Sequence, residues 1–176
     1  GRLSLLRQEV KKRNEEIKGH CHEILKLIEE RDYQKAEKHL WGFVRAKRLQ
    51  VNWREPEYKN AKRHLATAVS LLKKGKPENI ESAKTMIRIV QKKAQDSTHL
   101  HRFMKRYREF YLIQVLKGNL ISHKQAFDTI FIKYLKEANI NRGSPAEKLA
   151  QVRLWYARFY QAVFIPLNIG KPPKRI

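Results

Sequence analysis

Residues 144–163 read SPAEKLAQVRLWYARFYQAV, and this stretch decides the fold class. Ser144 offers a capping oxygen, and Pro145 takes the first helical position, where its missing N–H is not needed. Leu149, Val152, Trp155, Tyr156, Phe159 and Val163 then recur at intervals of three and four, which puts them on one face of an α-helix. The alternation that marks a half-buried strand is lacking.

Towards the N-terminus the same period returns in six further segments. Residues 3–30 carry Ile17, Cys21, Ile24, Leu25 and Ile28 on one face, with Gly19 a candidate bend. After a capping Asp32, Tyr33, Ala36, Leu40, Phe43 and Val44 repeat until Trp53, Arg54 and Pro56 interrupt them. Tyr58, Ala61, Leu65, Ala68, Val69 and Leu72 form a third stripe, stopped by Gly75 and Pro77. Ile80, Ala83, Ile87, Val90 and Ala94 form a fourth. Asp96, Ser97 and Thr98 then offer a cap for a fifth, which carries Leu100, Phe103, Tyr107, Tyr111 and Val115. Gly118 and Asn119 end it. Ser122 opens the sixth, with Ala126, Ile130, Phe131 and Tyr134, and residues 141–145 turn into the stretch quoted first. Beyond Pro166 the sequence LNIGKPPKRI predicts an extended basic tail over residues 166–176.

The expected fold class is therefore all-α, with about seven helices in a single domain over residues 1–165. A weak repeat suggests how they pair. The turns LIEERDYQKA (27–36), LKKGKPENIESA (72–83) and LKGNLISHKQA (116–126) each lead to an alanine on a buried face: Ala36, Ala83 and Ala126. A small residue there lets antiparallel helices approach closely, so each unit reads as a helical hairpin. The hairpins either stack as a short helical-repeat array or close into a bundle. No consensus of a known repeat family is present.

Charge is the second strong signal. Lysine and arginine number 39 against 17 acids, a formal net charge of +22. The excess is spread along the chain: +5 over residues 1–50, +6 over 51–100 and +6 over 101–150. A folded body this basic repels itself and implies an anionic partner. The pattern matches the electrostatic footprint of a nucleic-acid binder.

Candidate phosphate contacts follow from the placement of the cations. Lys84, Arg88 and Lys92 recur every four residues opposite the apolar stripe, with Lys93 beside them and no acid between Ser82 and Gln95. Like charges at that spacing oppose helix formation, so a polyanion is the natural counterpart. Lys38, Trp41, Arg45 and Arg48 form a second ridge, in which a base could stack on the tryptophan. Lys59, Lys62 and Arg63 form a third set, Arg102, Lys105 and Arg106 a fourth, and Lys171, Lys174 and Arg175 lie in the tail. Stacked hairpins would join the ridges around residues 38–48 and 84–92 into one track.

Other chemistries find little footing. Adjacent residues on a helix point about 100° apart, so His20, Cys21 and His22 cannot all reach one ion, and neither can His99 with His101; no metal or other cofactor is expected. Carboxylate clusters, phosphate loops, dinucleotide fingerprints and nucleophile elbows are absent, which predicts a non-catalytic protein. The single cysteine suits a reducing compartment, cytoplasmic or nuclear. No run approaches the ~18 apolar residues of a membrane span. No segment reads as pairing a basic face with an exposed bulky apolar one. The expectation is a helical module that binds RNA, in preference to DNA, mainly through phosphates, as an accessory or structural subunit of a larger ribonucleoprotein or polymerase complex. The competing class is a helical-repeat scaffold for acidic protein partners.

Overall fold

A computed structural model of the chain describes residues 2–140 and 143–165, with side chains from residue 8 onward. The described residues form seven α-helices and two 3-10 turns, with no strand among them. In order they are α1 (Arg2–Glu29), α2 (Tyr33–Arg45), α3 (Gln50–Trp53), α4 (Ala61–Lys74), α5 (Pro77–Leu116), α6 (His123–Ala138) and α7 (Pro145–Phe164). The 3-10 turns Lys47–Leu49 and Pro56–Tyr58 flank α3, in the region where Trp53, Arg54 and Pro56 interrupt the helical period.

The helix ends follow the expected chemistry. The Asp32 carboxylate accepts from the Lys35 N–H at the start of α2. Ser122 and Gln125 exchange reciprocal bonds at the start of α6, and Ser144 with Pro145 opens α7. Gly75, at φ 69°, closes α4 in the left-handed region that glycine adopts without strain. Helix α1 runs through Gly19 without a break.

Two expectations are corrected here. Residues 96–98 do not separate two helices: α5 continues through them for 40 residues. Ser97 accepts a bond from Asn14 Nδ2 of α1 (3.0 Å), and Thr98 donates back to the Ala94 carbonyl (3.1 Å), so one hydroxyl is engaged by another helix, the other by its own, and neither caps a helix start. Val115 and Leu149, read as core residues, are about half exposed. The aromatic packing on α5 ends around Tyr111, and that on α7 begins at Trp155, so both side chains lie beyond the cover of their neighbours.

The chain divides into two compact units, Gly1–Thr98 and His99–Ile176, with α5 contributing to each. In the first unit α2 packs on both α1 and α4. Its core joins Ile17, Cys21, Ile24 and Ile28 of α1 to Leu40 and Phe43 of α2, Leu65 and Leu72 of α4, and Ile87 and Val90 of α5. Fully buried Ala36, Ala61, Ala68, Ala83 and Ala94 let these backbones approach.

At one end of that core lies a buried polar network. Asn14 Oδ1 accepts from the Tyr58 hydroxyl (2.6 Å) and from Asn52 Nδ2 (3.3 Å), and Asn52 Oδ1 accepts from Arg13 Nε (2.6 Å). Burial pushes the Tyr58 hydroxyl well above its usual titration range, which keeps it a donor. Burial likewise pushes the Cys21 thiol up to about 12, leaving it a small inert core residue.

The second unit is held by aromatic side chains. Phe103 of α5 packs on Phe127 and Phe131 of α6 and on Phe159 of α7, with ring centroids 5.0–6.0 Å apart. Trp155, Tyr134 and Phe164 complete the core, and Ala126 is fully buried. The Tyr134 hydroxyl shares a 2.6 Å hydrogen bond with His99, and Tyr107 shares one of the same length with His123.

Candidate nucleic-acid interface

In the first unit a set of cations gathers where the start of α4 meets α5. Asn60 takes a left-handed conformation (φ 66°) that turns the chain into α4, with Lys62 and Arg63 exposed on its first turn. Across from it, the Lys93 ammonium of α5 donates to the Lys59 carbonyl. Exposed Lys92 and Arg88 sit on the same helix, one and five residues before Lys93. Among the described residues, none of the ion pairs involves Lys59, Lys62, Arg63, Lys92 or Lys93.

Burial pushes Lys93 below the ordinary lysine value; Asp96 opposes this, and the charge of Lys59 adds a smaller push downward. His64 is also pushed down, first by burial and then by the positive charges of Lys93 and Arg63. A phosphate at this place would meet Lys93 already held against the Lys59 carbonyl, which lowers the entropic cost of binding it.

The other sequence-expected contacts are distributed differently. Lys84, the first of its triplet, has a side chain only 13% exposed and pairs with Glu29 of α1 (2.5 Å) and Glu81 (3.2 Å). Those two carboxylates raise its pKa, so it works as a tie between α5 and α1. Arg88 acts electrostatically on the same Glu29. On the α2 ridge, Lys38 is exposed and the Arg45 guanidinium lies 4.9 Å over the half-buried Trp41 ring. Arg48 pairs with Glu16 of α1. The structure thus joins α5 to the start of α4 through Lys93, a meeting of two cation sets that the sequence reading kept apart.

In the second unit Arg102 is exposed, Lys105 stands 4.0 Å from Glu109, and Arg106 pairs with Glu137. Lys171, Lys174 and Arg175, with the rest of 166–176, lie outside the described residues.

The histidines point to three separate environments. His20 Nδ1 shares a 3.0 Å hydrogen bond with His39 Nε2, Cys21 is buried in the core, and His22 is exposed. Among the described residues no three histidine, cysteine or carboxylate side chains converge as a metal site. No helix among them is long and apolar enough to cross a membrane.

Sequence reasoning passed over His64 and the Lys93 link to the Lys59 carbonyl. The only signal in the sequence was Lys93 beside Lys92, one position off the four-residue stripe. It also passed over the far end of α5, where Leu112, Ile113, Val115 and Leu116 are all substantially exposed beside Arg108 and Lys117. There the structure pairs bulky apolar side chains with cations, contrary to expectation. Tyr111 faces inward to stack on His123 (4.0 Å), which leaves its neighbours on the outside.

Comparison with known proteins adds no relative: no family model, no curated protein and no solved structure matches this chain significantly.

Proposed function

We propose that this chain is a non-catalytic nucleic-acid-binding protein that grips phosphates, with Lys59, Lys62, Arg63, Lys92 and Lys93 as its principal contact surface. The observation that carries the reading is the contact of Lys93 with the Lys59 carbonyl, which brings the exposed cations at the start of α4 beside α5, in a chain of net charge +22. Arg88 and the α2 ridge of Lys38, Trp41 and Arg45 extend the surface. Arg102 and the tail cations Lys171, Lys174 and Arg175 add long-range attraction. RNA is favoured over DNA because the half-buried Trp41 under Arg45 suits stacking against an unpaired base. A role as accessory subunit of a ribonucleoprotein or polymerase complex, in a reducing compartment, belongs to the same reading.

A stacked-hairpin arrangement is part of the proposal. It is supported by the complete burial of Ala36, Ala83 and Ala126 after their three turns. Arg31 and Tyr33 also line one open depression together with Gly75 and Pro77, so two of those turns sit side by side.

The test is equilibrium binding to labelled single-stranded RNA and duplex DNA across a salt series. Five phosphate contacts imply that log affinity falls with log salt at a slope of roughly −3.5 on single strands, at about 0.7 per neutralised phosphate. Replacing Lys62, Arg63 and Lys92 together by glutamate is expected to weaken binding at least about tenfold and to flatten that slope by roughly two. Affinity that stays level between low and moderate salt removes the proposal.

A further inference from the structure

We propose that the second unit carries a docking cleft for an acidic amphipathic helix of a protein partner, on a surface separate from the phosphate contacts. The cleft has a volume of about 350 Å³ and lies between the last turns of α5 and the end of α7. Met104, Leu112, Val115, Ala162 and Val163 line it, over a floor of Tyr107, Tyr111 and His123. That floor is fixed, because His123 stacks on Tyr111 at 4.0 Å and shares a 2.6 Å hydrogen bond with the Tyr107 hydroxyl. A site already built in this way favours a shaped ligand over a flat one.

Around the cleft the surface stays apolar. Leu112, Ile113, Val115 and Leu116 occupy about 160° of the helix circumference, at 100° per residue. Leu116 is 77% exposed, and Leu120 in the following turn is fully exposed. Bulky side chains so grouped on a water-facing helix end mark an interaction surface. A recessed apolar slot beside a protruding apolar ridge is what a partner helix fills with residues at i, i+3, i+4 and i+7.

Charge selects the partner. Arg108 lines the cleft and Lys117 directly follows its apolar ridge. Residues 99–176 hold 15 lysines and arginines against four acids. A second copy of this chain would bring like charge to like charge, which opposes self-association. A bilayer could receive the ridge, but a flat surface does not fill a recess of about 350 Å³ beside it. A helix with leucines on one face and glutamates along its borders meets both the slot and the rim.

The probe is a labelled synthetic helix of about 18 residues, with leucines at that heptad spacing and glutamates elsewhere, read by fluorescence anisotropy on the full chain. A control peptide carries lysines in place of the glutamates. The glutamate peptide is expected to bind, and the lysine peptide to bind at least about tenfold more weakly. Val115→Glu and the milder Leu112→Ser are each expected to weaken binding about tenfold or more with an unchanged circular dichroism spectrum. Leu149→Ser, at the opposite end of α7, is expected to leave it unchanged.

Equal binding of the two peptides overturns the proposal, as does binding indifferent to Val115 and Leu112. Two further results overturn it by naming another occupant. One is a dimer in sedimentation velocity that Val115→Glu dissolves. The other is flotation on phosphatidylserine vesicles that Val115→Glu abolishes while the glutamate peptide fails to bind. The salt series on RNA is unaffected by these substitutions, so the two proposals stand or fall separately.

Discussion

At the scale of single residues, the chain's many cations behave according to what stands beside them. Lys84 and Lys92 are two turns apart on α5, yet one is enclosed by two glutamates and the other is exposed with no ion pair. The sequence gives both the same appearance, because Glu29 reaches Lys84 from a different helix. The histidine pair between α1 and α2 offers a test of this neighbour control. His39 is pushed below the usual value of 6.5, by burial first and then by the charge of His20, with Glu23 opposing. Glu16, itself paired with Arg48, holds the other side of His20. Because the folded state disfavours the proton, the unfolded chain binds it more readily in the window below pH 6.5. The stability contributed by neutral His39 is therefore complete above about pH 6.5 and is lost as pH falls through the lower, folded-state value. His64 shifts the same way and adds to the slope. Melting temperature is expected to fall between pH 7 and pH 5, and less steeply in His39→Gln, which keeps a hydrogen-bonding group towards His20. An identical slope in the variant would assign the pH dependence elsewhere.

At the scale of elements, the helices were legible because period and capping act locally. Ser144 with Pro145, Ser122 with Gln125 and Gly75 all mark true ends. The failure at residues 96–98 has the opposite character, since Ser97 is occupied by Asn14 from the far end of the first unit. In the sequence Asn14 is one polar residue among many on a long helix, and nothing near it announces its three partners. The candidate interface was legible as cation sets but not as a surface, because the contact between Lys93 and Lys59 is tertiary. Asn14 is expected to matter well beyond its size. Asn14→Ala leaves Ser97, Asn52 and Tyr58 short of partners in a buried site, and each such group costs about 1–3 kcal/mol, partly relieved by rearrangement. A loss of about 3 kcal/mol in urea unfolding is expected, against about 1 kcal/mol for Tyr58→Phe. A double-mutant cycle should show the two effects to be strongly non-additive, since Tyr58 and Asn14 share one bond. Simple additivity would mean that the network does not hold α1, α3 and α5 together as drawn.

At the scale of the whole molecule, 39 basic residues against 17 acids leave a net charge of +22 that no arrangement of ion pairs can neutralise. The body folds despite this because its two apolar clusters are well covered, so the repulsion acts as a bias towards any polyanion that binds the native form. Two responses to solution conditions can then be separated. Simple salt screens the repulsion but also competes for the cations, so its effect on melting should be small and level off once the Debye length falls below about 8 Å. A bound nucleic acid acts by mass action, and at about 100 times its dissociation constant it contributes about 2.7 kcal/mol to the native state. For a chain of this length each kcal/mol moves the melting temperature by about 2–4 °C, so an RNA ligand is expected to raise it by about 5–10 °C at low salt. That increment should shrink as salt rises, and should shrink most in the chain with Lys62, Arg63 and Lys92 replaced by glutamate. If RNA raises the melting temperature no more than an equal ionic strength of sodium chloride does, the positive charge is being screened without being recognised, and the reading of the α4–α5 surface as a phosphate site fails with it.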